Sequence, residues 1–509
     1  MTIMYSEKFR VLLPLRLLLT LGALFYFTYA NGQSIDITTI CNADIWPQNF
    51  SGYTGKTKIG VNDTVQVVRA NNHYGNLRYE IFYNGVSYFI TKNDADKLSL
   101  IKDGDPVNYW KFFNLRYKVY GNLATSGQQY DLRAELEGEC LEFERRIQRE
   151  GFLFNDGYLE NYLQSVLNSL YSKQIIAGKR QGELNVRVLK SSSPNITILP
   201  NGTMYVNVGF LSLLRNEEEL KAVMLHEIAH FVLDHSIVNL DKIKREEARL
   251  TFWSSVATMT AAATEFYFAT KHDVFFGGNL TYLTALSSVL YSDAVLERMG
   301  IQYTQEQEQE ADECATLLLQ CHNVNPNALL SVFNRLKYYY TQIGDFASIE
   351  GSGSHPSLQS RINRFDEGDV VMPDEPSFQA RVSLANSYAG ALEFYENHYF
   401  TCVERLSVNI RNNTAEEADY VLSAMALSKL PSVSADSLAL AYLNKAESLN
   451  VNPVKTVYKQ KALTFLRLSR KDEAITELKK YIATLQVNEE DNEIEWAKNM
   501  VFRAHLLPN

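Results

Sequence analysis

Cysteine is scarce in this 509-residue chain. There are five, an odd number, and their spacings form no zinc-finger pattern, so neither a disulfide scaffold nor a cysteine-rich metal module organises the fold. Cys314 and Cys321 stand seven apart on a predicted helix. That is about 10 Å along the axis, too far for a bridge. Only Cys41 with Cys140 is left as a candidate pair. Positive charge is also in deficit: 49 lysines and arginines face 59 acids, and a net charge of −10 argues against a nucleic-acid partner. Long low-complexity tracts are absent, and with 46% hydrophobic and 21% charged residues most of the chain is expected to fold.

At this length one core does not suffice, and roughly two to four domains are expected. Lys8, Arg10 and Arg16 give a basic start, Leu17 to Ala30 is an apolar run of 14 residues, and Ala30-Asn31-Gly32 offers small residues where a signal peptidase cuts. Residues 1–32 therefore read as a secretion signal, with Gln33 as the mature N-terminus; a retained anchor is the alternative. Loss of three bases and one acid with that signal takes the formal charge to −12. No cysteine stands at the cut, which argues against a lipid anchor.

Between Gly60 and Ile90 short alternating runs flank Asn84-Gly85, the signature of a two-residue hairpin, so 33–105 reads as a small antiparallel β module, weakly similar to SH3-like barrels. A helical linker over 106–150 follows. In the central segment, 151–372, Tyr158 to Tyr171 has helical spacing, and Asn185 to Leu189 and Met204 to Val208 read as strands either side of the turn Pro200-Asn201-Gly202. A helix from Glu217 to Asp234 is opened by Asn216 with glutamates in its first turn. Beyond Pro373 alanines recur regularly. Ala439, Ala446 and Pro453 have the spacing of the second helix and exit of a tetratricopeptide repeat, and Ala474 follows Ala439 by 35 residues, so 378–509 reads as a helical-repeat tail. The expected fold class is α+β multidomain.

The chemistry is concentrated in His226-Glu227-Ile228-Ala229-His230, an HExxH sequence inside the predicted helix. Residues four apart share a helix face, so both imidazoles can reach one Zn²⁺ at about 2.0–2.1 Å while Glu227 addresses a water on the metal. A catalytic zinc needs a third protein ligand. The histidine used in the metzincin arrangement is missing, since Ser236 and Leu233 occupy the diagnostic places, and His235 misses the slot by one. His235 is expected beside a ligand or at the surface. Glu308 and Asp312, four apart on a second predicted helix running through Leu319, supply a better pair: Glu308 to bind zinc, Asp312 to accept the outer N–H of a ligating histidine. Glu306 and Glu310 fall on other faces and read as solvated charge.

Over about residues 155–370 the sequence resembles the zinc peptidases that include the CAAX prenyl protease and the HtpX stress protease, a gluzincin branch. The resemblance is carried by Pro194-Asn195, Leu199-Pro200-Asn201-Gly202, Gly209-Phe210-Leu211, Glu218-Glu219-Leu220, His226 to His230, Glu308 with Ala311-Asp312, and His355-Pro356 with Arg361-Ile362. It implies a mainly helical zincin-type domain with a small sheet. It also implies Glu308 as third ligand, Asp312 as its supporting carboxylate, and the Met204 to Val208 strand as the edge along which substrate lies. Thr203 departs from the second glycine common after the turn, and Cys314-Ala315 from the small residues that usually follow the second motif. The several long spans of the prenyl-protein enzymes are missing; the chain is more similar to exported members with tetratricopeptide-like tails.

These residues predict a metalloendopeptidase in which Glu227 takes a proton from water and passes it to the leaving amine. His355 and Arg361 are equal candidates to stabilise the oxyanion, and His355 equally to plug the open zinc position. The expected substrates are proteins or peptides of a cell envelope, met in the periplasm during quality control, with an envelope partner on the tail. The 77 residues between His230 and Glu308 hold two apolar stretches, Thr251 to Thr270 and Val274 to Tyr291; a helical hairpin packed beside the cleft, with peripheral membrane contact over 251–291 left open, is preferred to true insertion. The rival is a non-enzymatic adaptor with the zinc fold as scaffold, against which the intact Glu227 speaks.

Overall fold

The structure, a computed structural model, describes residues 35–38, 43–47, 57–61, 63–73, 76–91, 128–171, 183–240, 303–351, 357–365, 370–430, 432–450, 455–485 and 491–506. The expected signal over 1–32, Cys41 with its pairing to Cys140, the 251–291 stretches and His355 all lie outside the described residues. The chain divides into two compact units.

The first unit carries an antiparallel sheet in the order β1-β4-β5-β6-β2-β3. Its strands are β1 (Ile35–Thr38), β2 (Ala43–Pro47), β3 (Thr57–Ile59), β4 (Thr64–His73), β5 (Asn76–Tyr83) and β6 (Val86–Thr91). Asn84 and Gly85 join β5 to β6 with φ of 50° and 81°, the left-handed pair that matches the twist of a two-residue hairpin. Val65, Ile81 and Ile90, one each from β4, β5 and β6, are buried.

Helix α1 (Gln128–Arg149) leads into the second unit. Leu136, Cys140, Phe143 and Ile147, at spacings of three and four, are its buried stripe, and the Phe143 ring meets Tyr205 edge-on at 6.0 Å. Helix α2 (Gly157–Leu170) follows, and then a three-stranded sheet in which β9 (Thr203–Asn207) lies between parallel β7 (Asn185–Leu189) and antiparallel β8 (Ile196–Ile198). This corrects the placing of the Met204 to Val208 strand at an edge. The strand is central and all five of its residues are buried; the edges are β7 and β8. Three residues after a proline are too few to give β8 a periodic signal, and the uninterrupted burial of β9 removes the alternation that marks a half-exposed strand.

From β9 the chain enters α3 (Val208–Leu211), then α4 (Glu217–Val232) and α5 (His235–Leu240). Asn216 caps α4 by accepting from the Glu219 amide at 2.9 Å. Thirteen of the sixteen residues of α4 are buried, so this helix forms the centre of the unit rather than a face of it. The remaining helices of this region are α6 (Gln305–Cys321), α7 (Ala328–Ile343), α8 (Phe346–Glu350) and α9 (Leu358–Ile362).

Seven further helices are described: α10 (Pro376–Tyr395), α11 (Tyr399–Arg411), α12 (Glu417–Leu427), α13 (Val433–Leu449), α14 (Lys455–Arg467), α15 (Lys471–Thr484) and α16 (Asp491–Leu506). Ala439, Ala446, Ala462 and Ala474 are fully buried where successive helices meet, small side chains that let the backbones approach. The first pair is built into the domain before it. Arg405 of α11, 2% exposed, donates to Gly209 O at 2.5 Å, to Ser192 O at 3.2 Å and to Ser212 Oγ, and pairs with buried Glu393 at 2.6 Å. Gly209 has no room for a side chain, since a Cβ there would stand 1.9 Å from Ser192 O.

Candidate metal centre and active site

Buried α4 carries His226, Glu227 and His230 on adjoining turns, and α6 brings Glu308 and Asp312 against them; all five residues are buried. His226 Nε2 and His230 Nε2 are 3.1 Å apart. Glu308 Oε2 stands 3.4 Å from the first of these nitrogens and Oε1 stands 3.7 Å from the second. A tetrahedral ion with bonds of about 2.0–2.1 Å has ligand edges of roughly 3.3 Å, so this set of nitrogen and oxygen atoms has the spacing of a zinc site. The donor chemistry fits as well: two imidazoles and one carboxylate leave a fourth position open.

The atoms behind the ligands fix their orientation. Asp312 Oδ1 lies 3.0 Å from His226 Nδ1, so the Nε2 edge is turned inward. Arg361 of α9 grips the same carboxylate with two donors, Nη2 at 2.7 Å and Nε at 3.1 Å, and reaches Glu308 Oε2 with Nη1 at 3.0 Å. Its guanidinium lies over the Phe333 ring, 4.2 Å from the centroid. Burial opposes charging of His226, but the hydrogen bonds to Asp312 and Glu308 outweigh it and push its pKa up to about 9. Burial alone would raise the Asp312 carboxyl, and Arg361 with His226 pulls it down.

On the other imidazole, His235 Nδ1 is 2.9 Å from His230 Nδ1, and His235 Nε2 is 3.2 Å from Glu310 Oε2. His235 thus stands directly behind a ligand. Glu310, read from sequence as solvated charge, is 38% exposed and yet reaches His235, 75 residues away, so it is only in part a solvent-facing acid; Asp234, between α4 and α5, is left-handed with φ 57°. Tyr303 stacks on His230 with centroids 3.7 Å apart and planes 16° from parallel. No motif announces Tyr303; its position five residues ahead of Glu308 is the one available hint. Glu227 Oε2 accepts from the backbone amide of Ile198 at 3.1 Å, so the general-base candidate touches edge strand β8.

A second group of metal-ligand type lies where α10 meets α11. Glu393 Oε2 is 2.9 Å and Glu396 Oε2 is 3.6 Å from His398 Nδ1. Each carboxylate has its other oxygen engaged, Glu393 by Arg405 and by Tyr339 at 3.1 Å, Glu396 by Ser192 Oγ at 2.6 Å.

Residues 158–368 match peptidase family M48. The chain carries an M48 peptidase domain. Over 243 residues it is 26% identical to the mitochondrial metalloendopeptidase OMA1 of Schizosaccharomyces pombe, a match covering 46% of this chain and 64% of that protein. Yeast Tom70 aligns over 79% of this chain and 83% of its own at 15% identity, but with a TM-score of 0.23 that likeness carries no argument. The M48 domain holds the whole His226, His230 and Glu308 group, and Asp312 and Arg361 with it.

Proposed function

We propose that this chain is a zinc-dependent metalloendopeptidase with His226, His230 and Glu308 as ligands and Glu227 as general base. The observation that carries the reading is the convergence of the three ligand groups, at 3.1 to 3.7 Å, beside a buried carboxylate that is not one of them. Zinc held there supplies a Lewis acid that acidifies water and polarises a substrate carbonyl. Glu227 receives the proton of the attacking water and returns it to the departing amine. Its bond to the Ile198 amide keeps the carboxylate at the edge strand. Substrate lies along β8, whose outward backbone groups have no other strand as partner among the described residues. Arg361 acts as a positioning residue, because its donors are directed to Asp312 and Glu308.

The basic and apolar leader supports export and action on envelope proteins in quality control, with the helices after Pro376 as repeat-like docking surface and the first unit as an SH3-like accessory. A mitochondrial setting rests on the name of the fission-yeast relative. The mature N-terminus separates these readings from a retained anchor. Cleavage of casein by the purified chain, abolished by a chelator and restored by zinc, tests the enzyme reading. Intact casein under all conditions favours the adaptor.

A further inference from the structure

A cavity of about 610 Å³, separate from the metal centre, opens where the M48 domain meets the tail. That is within the range of pockets that hold small organic ligands, roughly 300–1,000 Å³. Its walls come from four places: Ser212 to Arg215 ahead of α4, α7, the connecting segment Val371 to Asp374, and α11.

Cations outnumber acids on these walls. Arg215, Arg335, Lys337, Arg405 and Arg411 line the cavity, against Asp374 and Glu404. Two of the five are answered from outside it: Arg335 by Glu219 at 2.8 Å and Arg405 by Glu393 at 2.6 Å. The other three are not matched. Within ion-pair distance Arg215 and Arg411 share Asp374, at 3.4 and 3.5 Å, with Glu404 attracting both from farther off, and Lys337 makes no ion pair among the described residues. Glu404 is engaged by the Tyr338 hydroxyl at 2.8 Å. Burial, and then Arg335, depress the pKa of Arg215 to about 10, while Asp374 and Glu219 act the other way. Apolar surface on the walls comes from Leu213, Met372, Pro373 and Val371, the last 60% exposed, with Ser212, Asn334 and Thr401 as neutral polar neighbours.

We propose that this cavity binds an organic oxyanion, a carboxylate or phosphate group on a short apolar stem, with Arg215, Lys337 and Arg411 recognising the charge. Guanidinium and ammonium donors suit either head group. Since the four walls belong to different elements, the ligand ties the start of α4 to the tail.

The test uses the purified full-length chain and three probes of equal stem length, octanoate, octyl phosphate and octanol, followed by calorimetry and by thermal unfolding. The two anions are expected to bind saturably with one site per chain and raise the unfolding temperature, while octanol does neither; the tighter anion identifies the head group. Lys337→Ala and Arg411→Ala should each weaken the anion about tenfold or more, the size of one charged hydrogen bond. Glu404→Gln should tighten it. A purely structural role would move all three variants in one direction, so opposite signs are the diagnostic result. Equal binding of octanol, unchanged affinity in Lys337→Ala, or weaker binding in Glu404→Gln overturns the proposal. Should Arg411→Ala unfold, the other two variants decide.

Discussion

The two groups that combine histidine with carboxylates have similar spacing and opposite construction. At His226, His230 and Glu308 the ligands come from two helices and two imidazoles present their inner nitrogens to one point. At Glu393, Glu396 and His398 all three come from six consecutive residues, one imidazole lies between two acids, and buried Arg405 already answers Glu393 at 2.6 Å. Spacing alone therefore does not define a metal site. Each group has a buried arginine on a carboxylate, Arg361 on Glu308 at 3.0 Å and Arg405 on Glu393 at 2.6 Å; what differs is that the first turns two imidazole nitrogens and a carboxylate to one point, while the second is a chain of ion pairs that holds α10 and α11 to the M48 domain.

The widest separation between the two should come from Glu227→Gln. Its catalytic loss is expected at about 10² to 10⁴ in rate with folding and zinc content near normal, because the amide keeps the shape and cannot take a proton. Wild-type cleavage of a defined peptide would reassign the base. Next comes metal content by elemental analysis, about one zinc per chain, falling to a small fraction in Glu308→Ala and staying at one in His398→Ala. Loss of zinc in the second variant instead would make the seam a metal site and erase the distinction.

Arg405→Met tests the ion-pair side. It leaves buried Glu393 with only the partly exposed His398 as cation and should cost roughly 3 kcal/mol in urea unfolding, the low end for a broken buried pair, with zinc still bound by the folded fraction. A cost below about 1 kcal/mol would show that the seam is not held by this pair. The smallest effect is in pH. Hydrogen bonds to Glu393 and Glu396 raise His398 to about 9 in the folded chain against 6.5 as its ordinary value. The sign follows from linkage: a raised pKa means stabilisation present in full below about 6.5 and lost as pH rises through about 9. His398 is half-exposed, so the step is modest. Because His226 is raised into the same range, unfolding temperatures from pH 6 to 10 should show a smaller step in His398→Gln than in the wild type; identical profiles would remove His398 from the seam.

Much of this could be read from sequence where one local rule decides. Asn84-Gly85 demands left-handed backbone, Asn216 offers a cap, and histidines four apart on a helix share a face whatever surrounds them. Glu308 and Asp312 were legible because the same rule applies to their own helix. What was misread depends on contacts distant in sequence. β8 and β9 differ in which has neighbours on both sides, a property of the assembled sheet. Glu310 reaches His235 across 75 residues, Tyr303 reaches Ser236 at 3.4 Å across 67, and Arg405 reaches Gly209 across 196. None of these pairs has a periodicity to find.

β8 has a consequence for what the enzyme can accept. A sheet edge accepts a new strand only through free amide and carbonyl groups. A stretch of chain already paired inside a native helix or sheet has none to offer, whereas an unravelled one presents both. Selection at this cleft would then depend less on the side chains around a scissile bond than on whether its target has come apart. With substrate along β8 as proposed, such a protease would discriminate by conformation, cutting a damaged copy of a protein and sparing an intact copy of identical sequence.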